Sequence, residues 1–307
     1  VYKRQIMYQA TFTKLNFQLE FTSEGSLPKH KTAALRGGLG QMLLAQNCFG
    51  DSNDCENCSL VDSCLVQKIM YAKYIIRPDF VTKESMGFVL DCKDQHEYAQ
   101  IGQGFSFSMT LFGNMVSYFS TILYALTSLG TVGIGKEQVS FVIKKITGRL
   151  GEVILEDGRI YLQNVKQETL QEYVEERFAN GKNRKGIVRF LSPLSMKHRG
   201  EMLREFYPEA VLAGVARRIY MVNCFQGIAI EKPVISCDNI EVFEETSHLA
   251  SVRRYSTTQG EGMTLRGIVG EIQMEGLTLE QQKMLLAGEV LHVGKNTKFG
   301  FGKYVFL

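Results

Sequence analysis

Residues 291–307 read LHVGKNTKFGFGKYVFL, setting Gly294, Gly300 and Gly302 and Lys295, Lys298 and Lys303 between a helical run (279–291) and a terminal strand (304–307). Glycine lets a backbone approach a ligand closely and turn through positive φ, so that several N–H groups can converge on an anion while lysines neutralise it. The spacing fits neither the dinucleotide fingerprint GxGxxG nor the phosphate loop GxxxxGK[ST], because the lysines lie between the glycines and the loop leads into a strand. That excludes the common nucleotide-cofactor loops and leaves a polyanion site or a plain turn before an edge strand.

The same plan occurs once earlier. Met115, Tyr118, Phe119, Ile122, Leu123, Leu126 and Leu129 recur at helical spacing. Gly130, Gly133, Gly135 and Lys136 follow, and then the strand-like VSFVIKKI at 139–146. The chain therefore reads as two related halves. The first opens with Leu15, Phe17, Leu19 and Phe21 alternating with polar residues, the period of a half-buried strand. A helix with Leu35, Leu39, Met42 and Leu43 on one face comes next, then a strand through Phe105, Phe107, Met109 and Leu111. The second half opens with a strand at 187–191, continues with a helix around 209–220, and has a later strand at 263–274 interrupted by Gly267 and Gly270. Each half approximates strand, helix, two strands, helix, strand. The expectation is α+β: two tandem ferredoxin-like (RRM-like) domains with a glycine-rich C-terminal loop and a four-cysteine insertion. The domain limits expected are 1–148, with the insertion at 48–64, a hairpin and linker region at 149–185, and 186–307.

With 307 residues, 45% hydrophobic and 22% charged, the chain has the composition of an ordinary globular protein. No run of about 18 apolar residues is expected to span a membrane, nothing at the start resembles a signal peptide, and the setting expected is cytoplasmic. A net charge of +3 does not by itself require nucleic acid, but basic residues cluster at 182–185, 197–199, 217–218 and 253–254. Gly37, Gly38 and Gly40 each cost the first helix about 1 kcal/mol relative to alanine, so something approaches its backbone closely. His30, Lys31 and Arg36 surround its start, where cations oppose the helix dipole and a phosphate would relieve them.

At this point the chain resembles the precursor-RNA-processing endoribonucleases of CRISPR systems, the Cas6 family of the repeat-associated (RAMP) superfamily. The matching stretches are LRGGLG at 35–40, the four-cysteine segment, LGTVGIGK at 129–136, RRYSTTQ at 253–259, LRGIVGEI at 265–272 and LHVGKNTKFGFGKY at 291–304. The resemblance implies two ferredoxin-like domains, a glycine-rich loop on RNA and cleavage of CRISPR repeat precursor RNA without a catalytic metal. Other CRISPR effector subunits are the further partners it implies, and a membrane is not expected.

Metal-independent RNA cleavage needs a base for the 2′-hydroxyl, an acid for the leaving 5′-oxygen and cations for the phosphorane. His292 adjoins the glycine-rich loop and is the first candidate, with a loop-anchoring role as its alternative; His30 is the second. His96, His198 and His248 read as surface or structural residues. Lys31, Lys295 and Lys298 are phosphorane stabilisers by this reading. The RNA-binding set comprises Gly294, Lys295, Asn296, Lys298, Gly300, Gly302, Arg36, Lys136, Arg253 and Arg254. A non-catalytic RNA-binding subunit built from the same domains, or a redox sensor at the cysteines, are the competing functions.

Cys48, Cys55, Cys58 and Cys64 are spaced C-x6-C-x2-C-x5-C. Thiolates at such separations suit a structural zinc or, alternatively, an iron–sulfur cluster. Elemental analysis is expected to find about one zinc, or about four irons, per chain. Protein that keeps its full melting temperature when metal-free would rule the site out.

Overall fold

The computed structural model describes residues 6–49, 55, 57–81, 85–181, 185–256 and 261–307, with backbone alone at 6, 254–256 and 261. Asp51, Asn53 and Asp54 of the cysteine loop, residues 182–184 of the expected linker and the 257–259 end of RRYSTTQ lie outside them. The chain divides into two compact units, Phe12–Gln167 and Val1–Thr11 with Glu168–Leu307. Of the 149–185 stretch, read from sequence as a hairpin and linker region, the part from Glu168 onward thus counts with the second unit.

The first unit is built on β1 (Thr11–Phe21), α1 (Lys31–Asn47), a short α2 (Leu65–Met70), β2 (Phe88–Asp91), β3 (Gly104–Phe112), α3 (Phe119–Val132) and β4 (Phe141–Gly148), followed by β5 (Val153–Glu156) and β6 (Arg159–Ile160). Its sheet runs β2-β3-β1-β4-β5-β6 with antiparallel neighbours. The alternation read in β1 is realised: Leu15, Phe17, Leu19 and Phe21 are buried, and the Phe17 and Phe21 rings stack on Phe107 and Phe105 at 4.6 and 4.4 Å. Such cross-strand aromatic pairs fix the register that brings β1 and β3 together.

Gly113–Val132 spans 20 residues, and its most apolar window of 18 has a mean hydropathy of 1.3, long and apolar enough by length and composition to cross a membrane. Phe119, Ile122, Leu123, Leu126 and Leu129 of this stretch are buried within the unit, as befits a core helix.

The second unit contains α4 (Leu170–Ala179), β7 (Ile187–Leu194), α5 (Pro208–Phe225), β8 (Glu241–Ser256), β9 (Glu261–Glu275), α6 (Leu279–Leu291) and β10 (Tyr304–Phe306). Its sheet runs β8-β9-β7-β10, again antiparallel. Capping boxes start α4 (Thr169 with Glu172) and α6 (Thr278 with Gln281), and Pro208 opens α5. Residues 6–11 are tied to this unit from the other end of the chain. Asn223 Nδ2 donates to the Met7 carbonyl at 2.9 Å, Gln226 bonds both sides of the Thr11 backbone at 2.9 Å, and the Tyr8 hydroxyl donates to Glu280 at 3.0 Å.

The strand expected at 263–274 is the core of β9, but it runs without interruption and pairs with β8, a 16-residue strand that the sequence reading missed. Gly270 sits where β9 presses on β8: a Cβ there would lie 1.7 Å from the Thr246 carbonyl oxygen. Glycine is used here for close approach rather than for interruption.

The glycines of α1 divide in the same way. A Cβ on Gly38 would meet the Leu129 side chain of α3 at 2.4 Å, so helix-to-helix packing accounts for that residue, whereas nothing lies within 4 Å of Gly37. On α3 a Cβ on Gly130 would meet the Phe141 carbonyl oxygen at 2.4 Å. Gly37→Ala is therefore expected to raise stability by up to about 1 kcal/mol through helix propensity. Gly130→Ala should lower it by roughly 1–3 kcal/mol, because backbone must move. Urea unfolding midpoints of the two variants, which should shift in opposite directions, check this.

Candidate nucleic-acid interface

The C-terminal loop is held from beneath by backbone. After α6, His292 takes φ 56° and Asn296 and Gly300 take left-handed conformations on either side of a 3-10 turn at Thr297–Phe299. Val293 N–H donates to Gly302 O at 2.9 Å, Gly302 N–H to Pro193 O at 2.9 Å, and Lys295 N–H to Ser195 O at 2.7 Å. A Cβ on Gly302 would lie 1.7 Å from Val293 O, and one on Gly294 would lie 2.6 Å from Ser195 O. These glycines let the loop lie flat against itself and against the end of β7.

Arg218 of α5, 4% exposed, clamps the same loop. Its guanidinium donates to the carbonyls of Leu291 (2.8 and 3.2 Å) and His292 (3.0 Å) and to the Thr297 hydroxyl (3.3 Å). A cation on the last carbonyls of α6 also meets the negative end of its dipole. One turn earlier Glu289, 3% exposed, accepts from Tyr173 (2.7 Å), from both arms of Arg177 (2.9 and 3.0 Å) and from the Phe306 N–H (2.8 Å). Burial first, and then the Glu289 charge, push the Tyr173 hydroxyl pKa up; the Glu289 hydrogen bond raises that of Arg177.

His292 is 2% exposed, with Nδ1 3.2 Å from the Phe301 carbonyl. This is the geometry of the loop-anchoring alternative. Lys303 is 9% exposed and its ammonium caps the Glu289 carbonyl at 2.6 Å, so it too is structural. Lys298 is half-buried and Lys295 exposed, so that Lys295 is the loop lysine most open to an anion.

A second cluster forms in the first unit, where α1 begins. His30 occupies the N-cap without a capping hydrogen bond, and the first turn has no acidic residue. Burial, and then Lys29 and Lys31, lower the His30 pKa below its ordinary value against a smaller opposing pull from Glu97. The imidazole is thus neutral at pH 7, as a general base must be. The preceding residues pair with the loop before β3: Gly25 and Ser26 face Ala99 and Tyr98, and Leu27 N–H donates to Glu97 O at 2.9 Å. The turn carrying exposed Lys136 lies alongside, since a Cβ on Gly135 would touch Pro28 at 3.2 Å and Glu137 accepts from the Ser26 N–H at 2.9 Å.

Lys31 departs from its expected role. Its side chain is fully buried and its ammonium lies 2.6 Å from Asp94 Oδ1 and 2.6 Å from the His96 carbonyl. Burial pushes the Asp94 carboxyl up, but hydrogen bonds from Lys31 and His96, together with the Lys31 charge, outweigh it and hold the pKa below the usual carboxylate value. The ammonium is committed to folding this corner rather than presented to a phosphate. Asp94 was missed in sequence, although its D-x-H spacing to His96 is visible there.

Arg36 is half-buried on α1 and Arg253 exposed on β8, while the Arg254 side chain lies outside the described residues. His198 stacks on Tyr207 at 5.4 Å, and His248 is exposed. Cys48 is exposed, Cys55, Cys58 and Cys64 are half-buried, and all four are free thiols. Among the described residues no three Cys, His, Asp or Glu side chains are grouped to hold a metal.

Residues 10–171 match a family model described as the AF_1859_N N-terminal domain, and residues 188–304 match CRISPR-associated endoribonuclease Cas6. The second match runs from β7 through the clamped loop into β10. Residues 188–304 belong to the Cas6 family. Among solved structures it is similar to a chain of a partial Cas6-RT-Cas1–Cas2 complex, with a TM-score of 0.59 and 14% identity over 98% of this chain and 46% of that one. The Cas6 (TTHA0078) product complex gives 0.51 and 15% over 97% and 99%. The Thermus thermophilus Cas6 (TTHB231) product complex gives 0.50 and 15% over the same shares. At these identities the likeness is one of fold. This chain spans less than half of the two Cas6-RT-Cas1–Cas2 chains, 46% and 29%. No curated protein matches its sequence.

The Lys31–Asp94 pair makes a testable contribution to stability. Because the Asp94 pKa is depressed by folding, its stabilisation is complete above the unfolded-state value of about 3.9 and is lost as pH falls through the lower folded value. Lys31→Met leaves a mostly buried carboxylate without its cation and is expected to cost about 3 kcal/mol at neutral pH. The variant should also lose less than the parent between pH 4 and pH 2. Urea midpoints across that range check both statements.

Proposed function

We propose that this chain binds CRISPR repeat RNA and cleaves it, with the RNA's own 2′-hydroxyl as nucleophile, giving 2′,3′-cyclic phosphate and 5′-hydroxyl ends. The observation that carries the reading is the match to CRISPR-associated endoribonuclease Cas6 across residues 188–304, which includes the whole lysine-bearing loop. In each unit the first strand lies between the third and fourth and the second flanks the third, the order of a ferredoxin-like sheet, which supports the tandem reading. Lys295 and Lys298 supply phosphate charge at one loop, and Lys136 with the α1 N-terminus at the other.

His30 is the base by this reading: half-buried, neutral at pH 7 and set among cations that would hold the scissile phosphate. The chemistry needs no metal, because the nucleophile is internal and the developing charge is met by lysines and backbone N–H groups. A metal on Cys48, Cys55, Cys58 and Cys64 is a separate proposal that rests on their spacing. Further CRISPR subunits as partners are likewise proposed, on the fold likeness to a chain of a Cas6-RT-Cas1–Cas2 complex.

Repeat RNA incubated with the protein in excess chelator should be cut at one position. A repeat with a single 2′-deoxy substitution just upstream of the cut should bind and resist cleavage. His30→Ala should slow single-turnover cleavage by about 100- to 10,000-fold. Normal cutting of the deoxy substrate, or arrest by chelator, would overturn the mechanism. Tight binding without any cleavage would select the non-catalytic RNA-binding subunit instead.

A further inference from the structure

His96 has the surroundings of a working imidazole. Its side chain is 70% exposed, yet its Nδ1 lies 3.3 Å from Asp94 Oδ2 and its backbone N–H donates to Asp94 Oδ1 at 3.0 Å. Asp94 is 12% exposed and anchored in turn by the buried Lys31 ammonium at 2.6 Å. A carboxylate fixed behind Nδ1 sets the ring's tautomer and orientation and leaves Nε2 facing solvent, the arrangement that makes a histidine useful in proton transfer.

The position is as telling as the orientation. Leu27 N–H donates to Glu97 O at 2.9 Å, and Lys31 Nζ donates to His96 O at 2.6 Å. His30 lies between Leu27 and Lys31, so the residues flanking it on both sides are bonded to the backbone at 96 and 97. The two histidines leave the same corner of the first unit, beside the turn that carries Lys136.

We propose that His96, oriented by Asp94, is the second catalytic histidine, the general acid that acts opposite His30. The inference rests on the RNA-processing reading above. His30 takes the proton of the 2′-hydroxyl, O2′ forms its bond to phosphorus, and the bond from phosphorus to O5′ breaks. The electron pair left on O5′ takes a proton from the His96 imidazolium. Proton exchange with water resets both imidazoles for the next turnover. No oxidant, metal or further reactant is required. Asp94 is a positioning residue, acting through His96.

The test uses the full chain and two forms of one repeat RNA, ordinary and with sulfur replacing the bridging 5′-oxygen at the cut. A thiolate leaves without protonation, so loss of the acid is rescued by sulfur while loss of a base or of structure is not. His96→Ala, at an exposed position, should retain the parent's melting temperature and RNA affinity. It should cut the ordinary repeat about 100- to 10,000-fold more slowly and the sulfur repeat at nearly the parent's rate, and His96→Gln should behave alike. Cutting of the ordinary repeat within tenfold of the parent, or slow cutting that sulfur does not restore, overturns the assignment. So does rescue of His30→Ala by sulfur, which would exchange the two roles. A parent chain that binds the repeat and never cuts it defeats the processing reading itself, and is told apart because the parent fails as well.

Discussion

A buried carboxylate at the wrong end of a helix governs the second unit. Glu289 lies in the last turn of α6, where the helix dipole disfavours an anion, and it is almost wholly removed from water. A charge so placed persists only if every acceptor site is met. Arg177 and Tyr173 reach it from α4 and the Phe306 N–H from β10, while the backbone oxygen of the same residue receives Lys303. Helix, strand and terminal loop are joined through one residue. With Arg218 on the next carbonyls, the loop's inner surface is wholly committed to the protein, and its chemistry is confined to what projects outward.

The first unit meets the same physical problem with opposite sign. Lys31 is a buried cation at the positive end of α1, and Asp94 is the counter-charge that allows it. In both units a residue that reads as a ligand for phosphate is consumed in holding the backbone, and its neighbour in sequence is left exposed. Lys303 gives way to the exposed Lys295 in one loop, and Lys31 to the exposed Lys29 at the other.

How far the sequence disclosed this depends on where side chains go. β1 and β3 were readable because one face of each is buried and the alternation survives. β8 was not, because Val242, Phe243 and Leu249 are exposed and the apolar period is lost. The glycine-rich loop was visible as composition, yet whether a given lysine faces solvent is a tertiary fact that no local pattern carries. The Lys31–Asp94 pair joins positions far apart in the chain, and Glu289 looked like one charge in an apolar helix. The cysteine spacing suggests a metal, and whether the four thiols converge on one is decided by loop conformation, which the spacing does not carry.

Residues 6–11 bond to α5 and α6, so the second unit is assembled from two pieces of chain with the first unit inserted between them. During synthesis Phe12–Gln167 is contiguous and can fold as soon as it has emerged, whereas Tyr8 and Thr11 must wait for Glu280 and Gln226. Because the entropy of closing a loop grows only slowly with its length, and a folded insert shortens the effective loop further, the delay costs little at equilibrium. Its effect is temporal: the unit that carries the glycine-rich loop acquires its final shape last, after the part that carries His30 and His96 is already in place.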